Sequence, residues 1–383
     1  MSKSELKKSL HLFKQKCKNT IAGMGAKQEK LIVFESYEGR QYSDNPRFIS
    51  EKMHELYPDY TLVWGFKSMD KEFLSGVPEY VKAYDIDSFE YRKLRAGAAV
   101  FVYNEKMTES YPKKKGQLFI QTWHGDRGIK KILFDSLKAR GLSDKHSGLA
   151  DYYLTDLFVV GSRYAEERIR TAFRYSGEVL KTGCPRNDCL VDPGNTEAVR
   201  EKLGIPEGKK ILLYAPTLRR NAKVVQATLD IDETLRCLSK RGGEWVCLVR
   251  AHPKSLGLSH KPGSNVIDVS KYPDMADLLM AADMLITDYS SCAGDFILRK
   301  KPLVLAQFDL EQYMEEDRTF HVDIRETGFL IAHEQAELNA FLENMTDEQF
   351  AKNCEKIMEY FGTCETGHAA EDVCRWIDGR CRA

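Results

Sequence analysis

No run of 18 apolar residues occurs in the 383-residue sequence, which excludes a membrane-spanning helix of ordinary length. A surplus of charge is missing too. With 57 Lys+Arg against 57 Asp+Glu, the chain lacks the cationic excess of a protein that coats nucleic acid, and no nucleic-acid partner is expected. Residues 1–30 contain no apolar h-region, so no secretory signal is expected and the cytoplasm is the expected compartment. Ten cysteines are scattered from Cys17 to Cys381 without a C-x-x-C, which points to reduced thiols rather than a zinc or disulfide framework. The P-loop, G-x-G-x-x-G, H-E-x-x-H and G-x-S-x-G patterns are absent, and with them the usual support for kinases, dinucleotide oxidoreductases, zincins and hydrolases.

What is present is a long alternation of short apolar runs with helical patterns. Leu31–Phe34, Thr61–Phe66, Tyr80–Tyr84, Ala98–Tyr103, Gln117–Thr122, Leu157–Val160 and Val179–Thr182 form one series. Ile211–Ala215, Trp245–Val249, Asn265–Val269, Met284–Thr287 and Pro302–Ala306 form a second, after the turn signal Asp192-Pro193-Gly194-Asn195. Such alternation predicts βαβ units, hence an α/β fold with two doubly wound parallel sheets. The expected organisation is an N-terminal helix (1–29), a first Rossmann-like domain (30–193) and a second (194–383) that carries the terminal helices. The acids that gather between Glu334 and Glu359 read as a solvated helical face.

In the first segment, Leu6, Leu10, Phe13, Cys17 and Ile21 share one face of a helix whose other faces carry lysines. Two readings stand side by side: a foot on an anionic membrane surface, where each Lys adds about 1 kcal/mol, or a helix docked on its own domain.

Parallel sheets bind ligands at the carboxyl ends of their strands. Several segments leave predicted strands with chemistry-bearing residues. Trp123-His124-Gly125 follows Gln117–Thr122, with Lys113, Lys114 and Lys115 before it and Arg127, Lys130 and Lys131 after. That cationic setting suits an anionic substrate and leaves a neutral imidazole to accept a proton. Arg250 and His252, two apart after Trp245–Val249, project the same way if extended and suit a phosphate clamp. Pro216, Thr217, Arg219 and Arg220 follow Ile211–Ala215, and Arg219 and Arg220 read equally well as solvated cations. Ser290 and Ser291 close the strand Met284–Thr287 at a helix start that offers N–H groups to an anion, or needs Ser290 simply as its cap. Arg186, in the turn Gly183-Cys184-Pro185, can reach into a cleft. Asp85-Ile86-Asp87 and Asp230-Ile231-Asp232 carry an Asp-x-Asp pattern, but three-residue patterns arise by chance among 57 acids, and no metal site or cofactor is expected.

Taken together and in this order, Asp44-Asn45-Pro46, Thr122-Trp123-His124-Gly125, Gly183 through Asp188, Ala215-Pro216-Thr217, Arg250-Ala251-His252-Pro253, Ile286 through Phe296 and Lys301-Pro302 resemble the CDP-glycerol:glycerophosphotransferase family of teichoic acid synthesis. The likeness covers roughly residues 30–375. It implies a GT-B fold and transfer of glycerol phosphate, or ribitol phosphate, from a CDP-polyol to a hydroxyl of a lipid-linked saccharide or polyol-phosphate acceptor, with release of CMP. Carried over, His124 and His252 take catalytic roles, His124 as the base. Trp123, Gly125, Arg186, Pro216, Thr217, Arg250, Ser290, Ser291 and Asp295 become donor-binding positions, Asp295 toward ribose or cytosine. The implied location is the inner face of the cell membrane, in a wall or capsule pathway.

One departure from the family pattern stands at the expected base. Asp126-Arg127-Gly128-Ile129-Lys130 replaces the usual Thr-Pro-Leu-Lys, which bears on acceptor or polyol selectivity. A GT-B glycosyltransferase using a nucleotide-sugar donor is the alternative enzyme, and a catalytically silent scaffold the alternative from another class. Intact His124, Arg250, His252, Ser290 and Ser291 argue against the scaffold.

Overall fold

The computed structural model describes residues 14, 17–107, 113–139, 153–194, 196–217, 219, 229–251, 265–316 and 319–382. Its first sheet holds β1 (Gln28–Glu35), β2 (Thr61–Phe66), β3 (Lys82–Asp85), β4 (Ala98–Tyr103), β5 (Leu118–Gln121), β6 (Leu157–Val160) and β7 (Glu178–Lys181). The second holds β8 (Lys210–Ala215), β9 (Trp245–Val249), β10 (Val266–Asp268), β11 (Met284–Thr287), β12 (Leu303–Ala306) and β13 (Ile331–Ala332). The orders are β3-β2-β1-β4-β5-β6-β7 and β10-β9-β8-β11-β12-β13, and every pairing is parallel. Both expected strand series are therefore present, each as a doubly wound sheet. β13, two residues long, is too short to leave a periodic signal.

Strand alternation assigns each side chain to a face. In β1, Leu31 and Val33 join one core with Phe101 and Phe119, while Ile32 and Phe34 join another with Trp64 and Val100. In the second sheet, Ile211 and Leu213 face one side with Leu248 and Leu285, and Leu212 and Tyr214 the other with Val249 and Ile286. Helices cover both faces, which is why the strands read as continuous apolar runs rather than alternating ones. The strand order reverses direction between β1 and β4, and again between β8 and β11. These switch points open crevices at the carboxyl edges.

The terminal helix packs differently from the expected division. Ala369–Arg382 lies against the helix Asp44–Leu56 of the first domain, and its Val373, Cys374 and Ile377 are buried in the same core as Ile32, Phe34 and Trp64. The tyrosyl hydroxyl of Tyr60 donates to Asp378 Oδ1 at 3.1 Å. Burying Val373 and Ile377 contributes about 1.5–3 kcal/mol each, ample reason for the chain to cross back.

Of the N-terminal helix, residues 17–22 are described as helical, while Leu6, Leu10 and Phe13 lie outside the described residues. Its end docks on the first domain through Asn19, whose Oδ1 accepts from Arg92 Nη1 at 2.8 Å, and through buried Ala22. Cys17 and Ile21, of the apolar face, point to solvent instead; Ile21 is 55% exposed and Met24 78%. All ten cysteines are free.

Candidate functional site

Three loops leave the first sheet beside its switch point. After β1, Tyr37 and Glu38 are consecutive left-handed residues at φ 48° and 56°. After β4 comes Asn104, fully buried, whose Oδ1 accepts the Tyr37 N–H at 2.8 Å and whose Nδ2 donates to Ser36 Oγ at 3.2 Å. After β5, Trp123 is left-handed at φ 51°, held there by its N–H bond to Gln121 Oε1 at 2.8 Å. Non-glycine residues in this region cost about 1–3 kcal/mol each, and such strain gathers at ligand sites.

That turn delivers His124. Its Nδ1 lies 2.6 Å from the Asn104 carbonyl oxygen, and because a carbonyl only accepts, Nδ1 carries a proton, so that in the neutral ring the lone pair is on Nε2. The ring stacks on Trp123 at 4.3 Å between centroids and meets Tyr37 at 5.3 Å. Glu105 Oε2 is 3.9 Å from Nδ1. The expected ring of cations is not assembled here. Lys113 pairs with Asp156, Lys114 reaches the Gly25 carbonyl, and Arg127 turns into the interior; side chains that follow a strand by several residues have left its edge.

From the second sheet, Arg250 follows β9 and Ser290-Ser291 follow β11. Arg250 Nη1 is buried with no hydrogen-bond partner among the described residues, and burial lowers the pKa of its guanidinium below the usual arginine value. Asp274, in the same cavity, offsets part of that cost, and an anion bound at the open Nη1 offsets more. Ser290 Oγ accepts the Cys292 N–H at 3.4 Å and so serves as a cap. The helix Cys292–Phe296 is only five residues long, and Ser291, at its N-cap, makes no capping bond of its own.

The two edges meet directly. A Cβ on Gly125 would lie 3.2 Å from Ser291 Oγ, and one on Gly128 3.1 Å from Ser291 Cβ. One on Gly294 would lie 2.6 Å from Arg127 Cβ. Only glycine lets the loop after β5 press onto the turn after β11. The result is a cavity with about 670 Å3 of free space, lined among others by Tyr37, His124, Arg186, Arg250, Ser290 and Asp295.

Beneath it lies a buried charge network. Asp295, of the second domain, accepts from Arg186 Nη2 at 3.0 Å, Arg127 Nη2 at 3.3 Å and Asn187 Nδ2 at 3.1 Å, all from the first. Arg186 also reaches Asp44 Oδ1 at 3.3 Å; desolvation works against its charge, but Asp295 and Asp44 outweigh it and raise its pKa. Asp295 is thus committed to arginines across the cleft rather than presented free to a ribose or cytosine. Arg127, fully buried, bridges Glu365 at 2.7 Å, Asp126 at 3.2 Å and Asp295, so the Asp126-Arg127 departure is a strut between domains rather than a lining of the cavity.

Other expected residues fall elsewhere. Arg219 is tied to Asp309 at 2.7 Å and Asp288 at 2.9 Å, not solvated. Thr217 donates its N–H to Asp288 Oδ1, and its Oγ1 is buried without a partner among the described residues. Neither Pro216 nor Thr217, nor Trp123 or Gly125, lines the cavity that holds Arg250. His252 and Arg220 lie outside the described residues. Asn104, Glu105 and buried Asp274, which accepts the Asp44 N–H at 3.1 Å and lines the cavity, were not singled out from sequence. Asn104 and Glu105 follow β4 at the switch point, a signal that strand order alone supplies.

Two doubly wound parallel sheets, with a cavity lined by residues that follow strands of both, define a GT-B protein. Comparison with known proteins narrows the class. The chain belongs to the CDP-Glycerol:Poly(glycerophosphate) glycerophosphotransferase family, whose model matches residues 19–379. It is 32% identical to a teichoic acid poly(glycerol phosphate) polymerase of Staphylococcus epidermidis over 90% of this chain, but spans only 50% of that relative's length. It is 29% identical to a teichoic acid glycerol-phosphate transferase of Staphylococcus aureus over 91% of this chain and 93% of that one. Among solved structures, the wall teichoic acid polymerase TagF superposes with a TM-score of 0.83 at 27% identity, covering 100% of this chain and 99% of that one.

Proposed function

We propose that this protein transfers glycerol phosphate from CDP-glycerol to a hydroxyl of a polyol-phosphate or saccharide acceptor carried on a lipid, releasing CMP. His124 Nε2 takes the acceptor proton as the hydroxyl oxygen attacks the distal phosphorus. A new phosphodiester forms, the bond from that phosphorus to the bridging oxygen breaks, and the electron pair leaves with CMP. Arg250 offsets charge on the transferring and departing phosphates, and Arg186, locked by Asp295 and Asp44, holds a second fixed cation at the cavity wall. Because fixed guanidinium groups supply this charge, turnover is proposed to need no metal. The observation that carries the reading is the meeting, in one cavity, of an oriented imidazole and an arginine whose buried Nη1 has no hydrogen-bond partner among the described residues.

Glycerol is favoured over ribitol by the relatives: the S. aureus glycerol-phosphate transferase is 29% identical, a ribitol-phosphate primase of Bacillus spizizenii 26% at equal coverage of this chain. The test is CMP release from CDP-glycerol and from CDP-ribitol with EDTA present, with phosphorus NMR of the product. A new phosphodiester from CDP-glycerol supports the proposal. Release only from CDP-ribitol replaces the polyol, and a product without a new phosphodiester replaces the reaction with sugar transfer. Among the described residues no helix is long and apolar enough to cross a membrane. Access to a lipid-linked acceptor on the inner membrane face is proposed to come from the basic N-terminal helix, whose Ile21 and neighbouring Met24 stand exposed beside Lys14 and Lys18.

A further inference from the structure

A second cavity opens on the other side of His124. It has about 740 Å3 of free space at the carboxyl edge of the first sheet, between the ends of β1 and β4 where the strand order reverses. The wall between the two cavities is thin. Tyr37 lines the one that holds Arg250, and the next residue, Glu38, lines the other; two successive left-handed residues send them opposite ways. Likewise His124 lines the first and Glu105 the second, with 3.9 Å between Nδ1 and the carboxylate. The second cavity has a mixed lining. Lys67, Lys106, Arg92 and Arg95 line it together with Glu35, Glu38, Asp87 and Glu105, Lys67 lying 3.7 Å from Glu38 and Arg95 bonded to Glu35 at 2.8 Å, and Phe101 and Ile86 form apolar wall.

We infer that this cavity is a subsite for a phosphodiester-linked polyol, the growing end of the acceptor. The inference rests on the transfer reading above and extends it. Anionic phosphodiester oxygens suit the lysines, vicinal hydroxyls suit carboxylates that only accept, and carbon backbone suits the apolar wall. A diphosphate nucleotide fits less well, since a lining with as many acids as cations, Lys67 and Arg95 among those already beside carboxylates, offers no surplus positive charge for two phosphates. The position completes the logic: an acceptor seated here presents its end hydroxyl across the Tyr37–His124 wall toward the donor phosphates beside Arg250. The subsite therefore reads the last linkage of the acceptor, and favours a chain end that already carries a polyol phosphate over a bare saccharide.

The test is calorimetric binding of glycerophosphoglycerol, with diglycerol as the phosphate-free control, to the full chain and to a Lys67→Ala/Lys106→Ala variant. Lys67 is exposed and both lysines lie at the cavity rim, so circular dichroism and melting should match the parent. Affinity for glycerophosphoglycerol is expected to fall at least tenfold in the variant and to weaken with salt, while diglycerol binds both proteins alike. Lys67→Glu should weaken it further. Equal affinity in parent and variant, no binding to the parent, or a loss that follows Arg250→Ala instead of the lysines overturns the inference. Failure of the parent to release CMP from any CDP-polyol sinks the transfer reading while leaving the binding result to stand or fall separately.

Discussion

His124 Nδ1 sits 2.6 Å from the carbonyl oxygen of Asn104, a residue that β4 supplies at the switch point and that also holds the Tyr37 loop. One backbone acceptor thereby selects the tautomer whose Nε2 accepts a proton. His124→Ala is expected to slow CMP release about 10²–10⁴-fold, the range for a lost general base, with donor KM nearly unchanged. Activity within threefold of the parent would remove His124 from the reaction.

Arg250 keeps one buried N–H group, at Nη1, without a hydrogen-bond partner among the described residues. Arg250→Ala should lower kcat/KM for CDP-glycerol by about 10–10² or more, the loss of charge-assisted contacts worth about 1.5–3 kcal/mol. The melting temperature should stay close to the parent's, because Nη1 makes no hydrogen bond among the described residues that the substitution would break. A large fall in melting temperature with unaltered kinetics contradicts the assignment.

Asp295 behaves as a tie between domains. Asp295→Ala takes from Arg186 and Arg127 the counter-charge they share, leaving Asp44 to the one and Glu365 with Asp126 to the other, and should cost about 3 kcal/mol of stability, measured by denaturant melts. A residue that contacted only ribose or cytosine would weaken donor binding and leave the melt in place.

His321 gives a pH handle. Burial, then Arg168, lowers its pKa from 6.5 to about 4, with Asp135 opposing. Between about pH 4 and 6.5 the unfolded chain binds a proton that the folded chain excludes, so stability rises with pH across that window and is complete above it. The shift corresponds to about 3 kcal/mol at most, and to less once solvent screening of this partly exposed ring is allowed for. Melting of His321→Gln should show a shallower loss from pH 6.5 down to 4; parallel curves for parent and variant refute it.

Deleting residues 1–24 should release the protein from anionic vesicles while turnover on a soluble acceptor persists. Sedimentation with vesicles of phosphatidylglycerol checks this, and a full-length protein that ignores such vesicles dismisses the membrane foot.

Sequence pattern located His124, Arg250 and the Ser290 turn because each follows an apolar strand directly, and parallel sheets bind at strand ends. It says nothing of the partners of Asp295, Arg127 and Arg219, because sequence position does not tell which side chain a buried carboxylate meets; Arg219 reaches Asp288, 69 residues on, and Asp309, 90 residues on, and Arg127 reaches Glu365 238 residues on. Asn104 and Glu105 were legible in principle, but only once β1 and β4 are known to be neighbours. The apolar face of the terminal helix was legible; that it crosses to Ile32 and Trp64 was not, since any apolar groove of the right width satisfies the same pattern.

The return of Ala369–Arg382 to the first domain means that the chain bridges the halves twice, near Asp192 and again after Phe361. The bridges are adjacent: Asp188 accepts the N–H groups of Ala369 and Ala370 at 2.9 and 2.8 Å, and a Cβ on Gly367 would touch Val191 at 3.2 Å. These tethers pin one half to the other at two neighbouring points, beside the Arg127–Glu365 pair, so that the relative placement of His124 and Arg250 is set by the backbone as well as by the Asp295 network.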